Sequence, residues 1–174
     1  MALTYVAIAT VTVGSGGAAS IDFSSIPNTF TDLILLVSHR TTQAVGATSS
    51  ALDYRFNGST SNRAYRWLYA EGSTVGSANN TNALLVGATV GTTGTANTFA
   101  SASIYIPNYA GSTNKSSSVD NVSEGNSTTD NQLSLIANLW SNTAAIDQIT
   151  IYVAAGAQNF AQYSTATLYG IKAE

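Results

Sequence analysis

The sequence predicts an all-β protein: a single antiparallel β-sandwich of about 9–11 short strands with jelly-roll-like topology. Three observations predict it. Apolar and polar residues alternate with period two along most of the chain, and β-branched and aromatic residues dominate the alternation. Breaks rich in Gly, Asn and Ser, such as Asn57-Gly58, Gly72-Ser73, Gly91-Thr92-Thr93-Gly94 and Gly111-Ser112, punctuate it at short intervals. No long stripe with a helical period occurs.

The first predicted strand is 3–13, with Leu3, Tyr5, Ala7, Ala9, Val11 and Val13 on one face. Gly14-Ser15-Gly16-Gly17 ends it, so 1–17 reads as an N-terminal strand or arm. Ile21 and Phe23 open a second strand. Pro27 fixes its own φ and holds Ile26 out of the helical region, which makes Ile26-Pro27-Asn28 a turn. Leu33-Ile34-Leu35-Leu36-Val37 is the one unbroken apolar run and suits a central strand covered on both faces. Further strands are predicted at 52–57, 64–69, 84–90, 98–106, 133–140, 146–154 and 165–172. The polar stretch 113–131 reads as a long loop with one short strand near 119–122. With 174 residues and 17.9 kDa, the whole of 1–174 is expected to form one domain around one core.

Composition excludes several function classes. Charged residues make up 9% of the chain, where about 25% is usual, and Ser, Thr and Asn fill their place. A net charge of −3 with six Lys and Arg supplies no basic stripe for nucleic acid. There is no Cys, which removes disulfides, thiolate metal sites and thiol nucleophiles. No apolar run approaches the ~20 residues of a membrane span. Residues 1–13 lack a basic leader region and read as a strand, not a signal peptide, so folding in a cytoplasm is expected. No cofactor and no metal is expected, and the chain is expected not to be an enzyme.

The residues able to carry chemistry have structural readings that outweigh the catalytic ones. His39, at the end of the apolar run, lacks the G-x-S-x-G elbow a triad needs and is expected to bond a carbonyl. Carboxylate pairs, Asp53 with Glu71 or Asp120 with Glu124, must stand about 5–9 Å apart across a cleft to hydrolyse a glycoside. Asp120-Asn121-Val122-Ser123-Glu124-Gly125-Asn126 resembles a calcium loop loosely, but Val122 takes a ligand position. Tyr65, Trp67 and Tyr69 fall on one face of a predicted strand, with Arg66 and Leu68 on the other. Core packing is one reading of those rings; a platform for a partner chain or a sugar is the other, and they are the candidate partner-binding residues. A monomeric sandwich guards its edges with Lys, Pro or bulges. Here Lys115 and Lys172 are the only lysines, which suits surfaces covered by copies of the same chain or by a large assembly.

Four segments carry a resemblance: Ser25-Ile26-Pro27-Asn28-Thr29-Phe30-Thr31-Asp32-Leu33, Tyr54-Arg55-Phe56-Asn57-Gly58, Ile104-Tyr105-Ile106-Pro107-Asn108-Tyr109, and Ser164-Thr165-Ala166-Thr167-Leu168-Tyr169-Gly170-Ile171. Together they resemble small β-sandwich virion proteins and tail-fibre or spike modules of tailed bacteriophages, including cyanophages. The resemblance implies a jelly-roll capsid decoration (cement) protein. It would form a homotrimer, bind the major capsid protein and sit on the capsid surface after assembly in the host cytoplasm. The alternative it implies is a tail-fibre or spike module that binds a host receptor or glycan, with Tyr109 and Tyr163 as further stacking residues. The segments are turns and strand ends, so they point to a scaffold and bring no functional residue with them.

Overall fold

A computed structural model describes residues 3–44, 51–126, 131–154 and 158–173. Its strands, in chain order, are β1 (Leu3–Thr12), β2 (Ser20–Phe23), β3 (Asp32–His39), β4 (Ala51–Phe56), β5 (Arg63–Glu71), β6 (Thr74–Asn80), β7 (Leu84–Ala88), β8 (Ala100–Ile106), β9 (Lys115–Glu124), β10 (Asn131–Trp140), β11 (Ile149–Val153) and β12 (Thr165–Ala173). They form an eight-stranded sheet, β1-β12-β3-β8-β9-β10-β5-β6, and a four-stranded sheet, β2-β11-β4-β7. Both are antiparallel, and they pack face to face as a sandwich around one cluster of buried apolar side chains.

The pairing explains the topology. β1 pairs with β12, β2 with β11, β3 with β8, and β4 with β7. These pairs nest like the rungs of one long hairpin, and successive rungs alternate between the sheets. That is a jelly roll. The remaining strands are two insertions, β5–β6 between β4 and β7, and β9–β10 between β8 and β11. Both join the first sheet and extend it beyond β8, which takes the strand count above the 9–11 expected.

Alternation does most of the sorting. In β4, Leu52, Tyr54 and Phe56 point inward and are buried, while Asp53 and Arg55 point outward. The central run of β3 departs from expectation. Leu33, Leu35 and Val37 are buried, but Leu36 on the opposite face is exposed. β3 is central within its sheet, yet that sheet has a partner on one side only.

The stretch 113–131 is the larger correction. It is not a long loop: 115–124 is strand β9, and 127–130 lie outside the described residues. The inward side of β9 carries Lys115, Ser117, Val119, Asn121 and Ser123, all buried, so both faces are mainly polar and no hydropathic alternation marks the strand. Most of the buried polar groups are tied down, as burial requires, while Ser123 Oγ has no hydrogen-bond partner. Ser117 Oγ bonds Tyr54 OH, and Lys115 Nζ donates to the carbonyls of Gly111, Thr113 and Thr143. β6 also escaped the sequence reading, since Thr74-Val75-Gly76-Ser77-Ala78-Asn79-Asn80 has no apolar face.

The extension curls over the β7 edge of the small sheet, and β7 is buried along its whole length. Side chains replace the missing neighbour strand there. Asn138, on the inner face of β10, accepts from Leu85 N at 2.8 Å and donates to Leu85 O at 3.1 Å. Asn121 donates to Ala88 O at 2.9 Å. Gly87 sits under Asn121 with φ 128°, and a Cβ there would lie 2.6 Å from the amide, so only glycine fits.

Candidate interaction surface

The first three segments behind the phage resemblance come together at one end of the sandwich, and the fourth, which runs along β12, reaches that end with Gly170 and Ile171. Tyr109, fully buried, donates its hydroxyl to Pro27 O, and its carbonyl accepts from Ile146 N at 3.0 Å. Asn57, at φ 49°, accepts from the amides of Asp147 and Gln148, and Ile26 N bonds Asp147 O at 2.9 Å. Asp32 takes bonds from Tyr105 OH and Asn108 N, both at 2.8 Å, and Thr31 N reaches Ile171 O. Phe30 packs on Gly170 where a side chain would collide. These residues lock turns onto strand ends. Tyr109, expected as a stacking residue for sugars, is a core residue instead.

His39 is buried at the seam between the sheets. Because Asn121 Nδ2 donates to Ala88 O, its Oδ1 accepts, so His39 Nε2 donates to it at 3.2 Å. His39 Nδ1 then accepts from Thr89 Oγ1 at 2.8 Å, so the partners are side chains and not the expected carbonyl. Burial lowers its pKa to about 4, against a partial upward pull from Asn121, so the ring is neutral at pH 7.

The acidic candidates do not combine. Asp120 and Glu124 lie on one face of β9 four residues apart, which places their backbones about 13 Å from each other, beyond the reach of a glycosidase pair. The same strand geometry aims neighbouring residues of 120–124 to opposite faces, so they cannot close on one cation. Asp53 and Glu71 belong to different sheets. Burial raises Asp53 to about 6, although Arg63 and Arg55 pull it down. Beside it Arg63 Nη1 donates to Tyr152 OH at 3.2 Å, and the Arg55 guanidinium lies 4.2 Å from the Tyr152 ring centre. Among the described residues no three His, Asp or Glu side chains gather as a metal site.

Tyr65, Trp67 and Tyr69 share the inner face of β5, as the alternation predicts, and all three are half-buried. Tyr65 and Trp67 pack against the core cluster. The Trp67 and Tyr69 ring centres are 4.4 Å apart, Trp67 Nε1 donates to Ser134 Oγ at 3.0 Å, and Tyr69 covers Gly76 of β6. The rings thus fill the space under the extension.

The opposite face of the same strands was not singled out in the sequence, and it is the exposed apolar one. Register places four rows across β9, β10, β5 and β6. The first row is Val122, Leu133, Ala70 and Val75, apolar from end to end. The second is Asp120, Leu135, Leu68 and Ser77. Then come Ser118, Ala137, Arg66 and Asn79, and last Ser116, Leu139 and Ala64. Val75 is 75% exposed, Leu133 60%, Leu135 55% and Leu68 54%. Such values are ordinary for one side chain, but contiguous across four strands they form a patch at or above the few hundred Å² that monomers tolerate. The free edges of this sheet add to it. β1 is ten residues without charge, Pro or Gly, and β6 has no charged residue.

Compared with models of known protein families, with curated proteins and with solved structures, the chain finds no match.

Proposed function

We propose that this chain is a structural virion surface protein: a capsid decoration protein that associates with its own copies and binds the major capsid protein shell to stabilise it. The observation that carries this reading is the apolar outer face of β9–β10–β5–β6 in a sheet whose two edge strands, β1 and β6, carry no charge. A diffusing monomer guards such surfaces; an assembly component covers them. Stabilisation would be multivalent, since linked copies must release several shell contacts together before any is lost. Strand addition at β1 offers a second kind of contact to the shell.

The test is co-sedimentation of the purified protein with expanded shells of the phage that encodes it. Saturation at a fixed ratio to the shell subunit, with a raised shell-disruption temperature, is expected. Protein that stays in the supernatant at every ratio overturns the reading. The alternative, a tail-fibre or spike module binding a host glycan, rests on Tyr163, which is 66% exposed at a turn with φ 72°. Labelling of intact virions separates the two, because shell decoration and a tail-tip signal exclude each other.

A further inference from the structure

We propose that the outer face of β9–β10–β5–β6 binds a second copy of this chain, sheet against sheet, about a two-fold axis lying close to β10. The inference places a two-fold contact where the resemblance implies a homotrimer, and it rests on the assembly reading only in that the chain associates with its own copies.

Three features select a second copy as the occupant. The first is area. Four strands about 4.8 Å apart and up to ten residues long present on the order of 700 Å², near the ~800 Å² per partner of a standard interface. The second is layout. The β10 column, with Leu133, Leu135 and Leu139, is apolar and central, and the charges stand on the flanks, as in interfaces with an apolar core and a polar rim.

The third is charge. Asp120 lies on the β9 flank, and Arg66 lies on the β5 flank one row away. A two-fold axis along β10 lays the leucine column on its own copy and exchanges the flanks. Arg66 of each copy then comes over Ser118 and Asp120 of the other. The match is made twice and needs no further residue, the self-complementarity that an isologous contact demands. Aligned sheets cross at about 30°, so the axis would lie about 15° from the β10 direction.

Purified protein tests this without a shell. Light scattering is expected to give twice 17.9 kDa for the parent chain and a monomer for Leu135→Lys, whose unfolding midpoint should equal that of the parent diluted below its dimer dissociation constant, because Leu135 faces solvent in the single chain. Arg66→Asp or Asp120→Arg alone should raise the dimer dissociation constant by about tenfold or more, and the two together should recover most of that loss. The chain has no cysteine, so Ala137→Cys reports the axis directly. A short thiol-to-thiol cross-linker should join it into a dimer, since face-packed sheets about 10 Å apart hold the sulfurs beyond disulfide reach, whereas Thr10→Cys, on the opposite edge strand β1, should give none. A monomeric parent, a trimer, an oligomer indifferent to Leu135→Lys, or no cross-link at Ala137→Cys overturns the contact. A dimer that ignores shells overturns the decoration reading and leaves the contact; a monomer that saturates shells does the reverse.

Discussion

At the scale of single residues, His39 and Asp53 set opposing pH dependences. His39 has a folded pKa of about 4 against 6.5 in an unfolded chain. As pH falls from 6.5 to 4 the unfolded chain takes up a proton that the folded chain refuses, and stability is lost. The shift corresponds to about 3 kcal/mol at most. Asp53 runs the other way. Its folded pKa, about 6, lies above the ordinary 3.8, so its contribution is fully present below pH 3.8 and disappears as pH rises through 6. The parent chain should therefore show a shallow profile between pH 4 and 6.5. His39→Gln removes one arm: between pH 7 and pH 4 the parent should lose up to about 3 kcal/mol more than the variant in urea unfolding. Equal slopes for both proteins would show that His39 is not held neutral.

At the scale of elements, the lesson lies in how β7 is closed. A buried edge strand without a neighbour leaves backbone groups unpaired, and Asn138 answers both groups of Leu85 with one amide. Asn138→Ala should cost about 2 kcal/mol or more in chemical denaturation, because it strands a buried donor and a buried acceptor together. Asn138→Asp should do no better, since a carboxylate faces Leu85 O with no proton to give. The same element shows what a sequence can disclose. Strands such as β4 and β12 were legible because one face is apolar. β9 was not, because its inward positions are mainly polar, Lys115, Ser117, Asn121 and Ser123, and Ser117 and Asn121 find their partners, Tyr54 and Ala88, far away in the chain. The exposed apolar face is hidden in the sequence for a related reason. Aromatic Tyr65, Trp67 and Tyr69 drew attention to one side of β5, while Leu68 gains meaning only beside Leu135 and Leu133, and register alone supplies those neighbours.

At the scale of the whole molecule, the nested pairing makes most strand pairs distant ones; among the described strands only β5–β6, β8–β9 and β9–β10 join neighbours in sequence. β3 meets β8, β2 meets β11, and β1 meets β12. Folding must close these loops before the contacts reward it, which places all-β domains of this kind in the millisecond-to-second range or slower. Refolding followed by the fluorescence of buried Trp140 should take on the order of a second or longer; completion within a millisecond would contradict the topology. The oldest strand also waits longest. Thr12 pairs with Thr165 and Leu3 with Ala173, so β1 leaves the ribosome long before its partner exists. At about 5–20 residues per second the delay is on the order of 10 s. For that interval the nascent chain trails an uncharged, proline-free strand of ten residues, the kind of segment that recruits chaperones or pairs with its neighbour on the same message.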